Sequence, residues 1–81
     1  MNVTVRLFAN LRETVGTDQL VLDLPESASL SAVVEQLLAR CPELEGQQDM
    51  WHFAVNHTHA DPETVLRSGD RVTIFPYIAG G

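Results

Sequence analysis

The chain contains no lysine, so it has no side-chain amine to accept an isopeptide graft; only the N-terminal amine remains for one. Cysteine occurs once, at Cys41, which excludes an internal disulfide and fits a reducing cytosol. Beside a helix end, that residue is expected to fill space as a small apolar side chain rather than to react. Basic residues are scarce as well: five arginines stand against eleven acidic residues, for a formal charge of −6. Nucleic acid needs a basic footprint that this balance does not supply, and anionic membrane surfaces are disfavoured for the same reason. A basic protein partner would instead be drawn toward the domain. No apolar stretch approaches the roughly 18 residues of a membrane helix, and the N-terminus lacks the parts of a signal peptide. These absences predict a cytoplasmic domain with neither nucleic acid nor membrane as its partner.

Signatures of catalysis are also missing. There is no GxSxG elbow and no phosphate-binding glycine loop, and the Ser, His and Asp residues are scattered. Gly16, Gly46 and Gly69 read as turn residues. What is present is one domain over residues 1–81, 44% apolar and 20% charged, close to globular averages. That length lies near the low end of what folds unaided, and such a core leaves only a few kcal/mol of net stability. A binding role suits this size better than self-contained catalysis.

Hydrophobic periodicity divides the chain. Residues 2–9 alternate Val3, Val5 and Leu7 against Thr4 and Arg6, a strand with one buried face. A connection over Leu11 to Thr17 follows, with Gly16 as its punctuation. Gln19 to Leu24 alternates again and stops at Pro25. Leu30, Val33, Val34, Leu37 and Leu38 then form one helical stripe, with Ser29 as N-cap and Pro42 ending the helix near Arg40. Pro42 to Met50 is a polar loop with room for a helical turn. Trp51 to Asn56 reads as a third strand, with His52 turned outward beside Trp51 and Phe53. Residues 57–62 are turn-rich, a short extended piece follows, Ser68-Gly69-Asp70 makes a sharp turn, and Arg71 to Ile78 is the last strand. The order predicts an α+β fold in which the second strand reaches its sheet neighbour through the helix by a right-handed crossover. The apolar terminal strands should lie centrally. A β-grasp fold satisfies this order, a mixed sheet of four to five strands wrapped over one main helix.

Three segments are candidates for chemistry. His57-Thr58-His59-Ala60-Asp61 offers two imidazoles and a carboxylate, but an extended chain spaces alternate residues about 6.6 Å apart. A solvated hairpin is expected there, and no metal. The stretch Phe8 to Gly16 is either simply a strand exit, helical turn and glycine stop, or a platform on which Arg12 presents a planar donor to a partner carboxylate. In the last strand Val72 and Ile74 share a face, which leaves Phe75 and Tyr77 on the other. Either they form an outward aromatic pair suited to an interface, or the small sheet buries both faces.

The chain closes on Gly80-Gly81, and two glycines do so by chance in roughly 0.5% of cases at average usage. Residues 79–81 read as a flexible tail. Lacking Cβ atoms, such a tail fits a narrow channel that other side chains would block. Its carboxylate is then the working group; the alternative is a frayed terminus. Extended, Ala79 to Gly81 reaches about 10 Å.

These features together resemble a known family, the small subunits of molybdopterin synthase, which are ubiquitin-like sulfur carriers. The markers run from Leu7-Phe8-Ala9-Asn10-Leu11-Arg12-Glu13 with Gly16, through Ala54-Val55-Asn56, to Gly69-Asp70-Arg71-Val72, Phe75-Pro76 and Gly80-Gly81. Each is weak alone, but their order and spacing cover nearly the whole chain. Tyr77 departs from the pattern, since many relatives carry a second proline there. The resemblance implies that a ubiquitin-activating-type adenylyltransferase consumes ATP to adenylate Gly81, which sulfur transfer then converts to a thiocarboxylate. It also implies a large catalytic subunit as partner, in a heterotetramer of two small and two large subunits, with sulfur passing to cyclic pyranopterin monophosphate. Phe75, Gly80, Gly81 and Arg12 would be the partner-binding residues, with no cofactor bound by the carrier itself. Competing expectations are a carrier for thiamine or tRNA thiolation, a protein modifier joined through Gly81, and a plain ubiquitin-like interaction domain. Thiamine carriers share the Gly-Gly end but are typically shorter and lack the Phe8 to Gly16 segment.

Overall fold

The computed structural model describes residues 1–76; the tail over 79–81, Tyr77, Gly80 and Gly81 lie outside the described residues. Five strands, β1 (Asn2–Leu7), β2 (Gln19–Asp23), β3 (Trp51–Val55), β4 (Thr58–Ala60) and β5 (Arg71–Pro76), form one mixed sheet in the order β2-β1-β5-β3-β4. Two helices accompany them, α1 (Ala9–Val15) and α2 (Leu30–Arg40), together with 3-10 turns at Pro42–Leu44 and Gln48–Met50. This is the expected β-grasp arrangement, with both terminal strands inside the sheet. β1 and β5 run parallel at its centre, with Val5 beside Val72 and Leu7 beside Ile74.

The alternation on the strands decides what is core. Val3, Val5, Leu7, Leu22, Phe53, Val72 and Ile74 point to one side and are buried. Leu30, Val33 and Leu37 of α2 are fully buried in the same cluster. No polar side chain is buried among the described residues, so the core is held by apolar burial alone. Cys41 lies at the C-terminal end of α2, half-buried against the same cluster, as a small filler would. No helix of the described residues is long and apolar enough to cross a membrane.

Four local expectations are revised. β1 ends at Leu7, not at residue 9, because the chain leaves the sheet at Phe8 and Ala9 takes a positive φ of 54°. β2 pairs with β1 alone, so its sheet neighbour is reached through α1 and not through the long helix. α2 instead carries the chain from β2 to β3, with β1 and β5 between them. Ser29 is the N-cap of α2 but caps nothing with its side chain, since its Oγ lies 2.6 Å from Ser31 Oγ. The free amides of that first turn are taken up by the loop before β5: Leu30 N donates to Thr64 O and Ser31 N to Pro62 O, each at 2.9 Å. Finally, residues 58–60 are a strand. Val55 pairs with Thr58 across a two-residue turn, Asn56-His57, and both turn residues have positive φ (50° and 73°). That is the turn geometry that matches strand twist, and both residue types tolerate it better than most.

Candidate functional site

The side of the sheet away from α2 carries the candidate residues, and the register explains how they meet. Leu7 lies beside Ile74 in the parallel β1–β5 pair, so the next residues, Phe8 and Phe75, emerge together on the outer side. Their rings stack at 5.2 Å between centroids and 10° between planes. Phe8 is the extended N-cap of α1, and Leu11, fully buried, pins that helix to the core. Gly16 stops the helix in the left-handed conformation at φ 93°, its N–H donating to Arg12 O at 2.9 Å. On the other flank of Phe75 the antiparallel β3 places His52 directly opposite. His52 is outward between buried Trp51 and Phe53, as alternation predicts, and its ring lies 6.2 Å from that of His59 on β4. A row of rings therefore crosses one end of the sheet: Phe8, Phe75, His52, His59.

Phe75 is 42% exposed and Phe8 37%, large apolar surfaces that the fold itself does not cover. The outward orientation expected for Phe75 is thus observed. Its aromatic companion is Phe8, contributed by the other end of the chain, and Tyr77 falls outside the described residues. The Arg6 guanidinium stands 5.6 Å above the Phe8 ring, a cation–π contact at the edge of the stack. Arg12 is exposed on α1, and α1 packs against β5 beside this row. Where β5 ends, Pro76 borders a hollow of about 260 Å³ lined also by Asn10, Gln47, Met50 and Trp51. Met50 is half exposed there and adds a second apolar surface near the end of β5.

His57, His59 and Asp61 do not converge. His57 sits in the turn, His59 faces outward on β4, and Asp61 is used locally, its Oδ1 accepting the Glu63 amide at 2.9 Å. Among the described residues no three His, Cys, Asp or Glu side chains are placed to share a metal ion. The arrangement offers chemistry of one kind, an apolar aromatic anchor with cations at its margin, immediately before the residues that follow Pro76. Exposed aromatics of this kind are the residue type in which interface affinity concentrates.

Comparison with known proteins is consistent along the whole length. Residues 5–81 match the ThiS family. A molybdopterin synthase sulfur carrier subunit from Chlamydomonas reinhardtii is 30% identical over 83 residues, covering 100% of both proteins. Among solved structures, a candidate molybdopterin converting factor subunit 1 from Pyrococcus furiosus superposes with a TM-score of 0.86 at 27% identity, over 96% of this chain and 99% of its own. Small archaeal modifier protein 1 from Methanosarcina acetivorans gives a TM-score of 0.81 at 28% identity, over 99% and 96%.

Proposed function

This chain belongs to the ThiS family, and we propose that within it the protein is the sulfur-carrier small subunit of a molybdopterin synthase. The observation that carries the reading is the full-length similarity to a molybdopterin synthase sulfur carrier subunit, with the family match running through residue 81. In this reading Gly81 supplies the reacting carboxylate. A carboxylate is a poor electrophile until one oxygen joins a good leaving group. A ubiquitin-activating-type adenylyltransferase provides that group by transferring AMP from ATP to Gly81 and releasing pyrophosphate. A sulfur donor then displaces AMP, and the product is a thiocarboxylate. Its sulfur is a soft nucleophile that needs little further activation. The large catalytic subunit takes up the tail and passes the sulfur to cyclic pyranopterin monophosphate; two transfers build the dithiolene. The carrier binds no cofactor, works in the cytoplasm, and is not an enzyme by itself. Two small and two large subunits make the complex.

The geometry supports the docking half of this cycle. Ordering a glycine tail in a channel costs backbone entropy, so a second contact has to offset it. Phe75, stacked on Phe8 and one residue before the end of β5, is that contact, with Arg12 as a cation at its margin and Gly80 and Gly81 as the inserted segment. The Methanosarcina relative favours a second reading, a modifier joined through Gly81 to lysines of other proteins. The absence of lysine here excludes only chains built on the protein's own lysines. Intact mass after incubation with ATP, the activating enzyme and a sulfur source tests the carrier. The expected product is heavier by one oxygen-to-sulfur exchange, and deleting Gly81 removes the change. An unchanged mass beside an actively loaded control carrier overturns the proposal, and lysine-linked adducts would favour the modifier.

A further inference from the structure

We propose that a hollow between Arg6 and Arg71, on the outer side of the sheet, receives an acidic side chain of the protein that docks on Phe75. The strand registers build it. Arg6 lies opposite Gln19 on β2, and Thr4 lies opposite Arg71 on β5. These four residues line a hollow of about 140 Å³. At roughly 30 Å³ per water molecule, that is room for a carboxylate and the carbons next to it. All four side chains carry donors: two guanidinium forks, a hydroxyl and an amide.

The charge is what makes this a site. The chain carries eleven acidic residues, yet none is spent on either guanidinium. Among the described residues, the one ion pair joins the Met1 ammonium to Asp23. Two of five arginines thus converge, without a carboxylate, on one spot of a protein whose net charge is −6. A guanidinium fork matches a carboxylate with two parallel hydrogen bonds, and this hollow presents two forks.

Continuity with the aromatic row identifies the occupant as a protein side chain. Arg6 both lines the hollow and stands over Phe8, so the anion site and the Phe8–Phe75 stack form one surface. A free inorganic anion would satisfy the guanidiniums and leave the rings wet. A protein segment with an acidic residue close to an apolar one satisfies both. The local reversal of sign also fixes register, because it gives an acidic residue of the partner a place to pair on an otherwise acidic domain.

This inference rests on the docking reading of Phe75, and the test separates the two. Dissociation constants for the large subunit are measured with the wild-type chain, Arg71→Gln and Phe75→Ala, at low and at high salt. Arg71→Gln is the clean variant, because Arg6 also contacts Phe8. It should weaken binding about tenfold at low salt, lose most of that difference at high salt, and keep its unfolding midpoint. Loss of affinity in Phe75→Ala with none in Arg71→Gln overturns the anion site and leaves the docking reading standing. No binding by the wild-type chain overturns both. Tight capture of inorganic phosphate by the isolated chain, seen as shifts of the Gln19 side-chain amide, would replace the proposal with a free-anion site.

Discussion

Ile74 and Phe75 are chain neighbours on opposite sides of one strand, so truncating each to alanine separates folding from docking. Ile74 is fully buried, between Leu7 on β1 and Phe53 on β3. Removing its side chain costs about 2–5 kcal/mol in lost transfer and cavity energy. A domain of this size holds only about 3–5 kcal/mol in all, so Ile74→Ala should be largely unfolded. Phe75 is 42% exposed, and its burial is worth about 1 kcal/mol, roughly half that of a buried aromatic. Its stack on Phe8 adds about 0.5–1.5 kcal/mol, so Phe75→Ala should cost about 1.5–2.5 kcal/mol and stay folded. Urea unfolding followed by the fluorescence of buried Trp51 reads both variants, and a Phe8→Ala, Phe75→Ala double-mutant cycle isolates the stack at about 1 kcal/mol. Binding to the large subunit is then measured on the folded Phe75→Ala, where loss of a central aromatic should weaken affinity by roughly 30-fold or more. Equal destabilisation by the two substitutions would make Phe75 a structural residue. A stable Phe75→Ala that binds as the wild type does would refute the anchor.

Two further substitutions test how the surface is positioned. Gly16→Ala forces a Cβ into φ 93°; nothing lies within 4 Å of that atom, so the cost is conformational alone, about 1–2 kcal/mol. A fall of about 5–10 °C in melting midpoint is expected, and Gly16→Asn should recover part of it, whereas an unchanged midpoint would mean α1 ends differently. Asn56 ties the β3–β4 turn to β5, its Nδ2 donating to Asp70 Oδ1 at 2.9 Å and its Oδ1 accepting the Arg71 amide at 3.0 Å. Asn56→Ala should cost about 1–2 kcal/mol and speed hydrogen exchange at the Arg71 amide; exchange at the wild-type rate would show that the turn holds without these bonds.

Local periodicity and long-range register carry different parts of this surface. The alternation on β1, β3 and β5 marks one buried face without reference to any other segment, and it already turns Phe75 outward. The stripe from Leu30 to Leu38 predicts α2 over Leu30–Arg40 in the same way, and those are its bounds. β4 escapes such reading because three residues are too few to show a period, and its turn uses Asn56-His57 where glycine would have been the signal. Phe8 escapes for another reason. Within its own segment it is one apolar residue at the end of a strand, and nothing local distinguishes a buried staple from an exposed ring. Its role depends on β1 and β5, from opposite ends of the chain, running parallel with Leu7 beside Ile74. The same registers bring Arg6 and Arg71 to one hollow, although neither arginine stands out along the chain. The aromatic stack and the paired guanidiniums are therefore products of strand pairing. A substitution that slips β5 by one residue would bury Phe75 and expose Ile74, and would dismantle both features together.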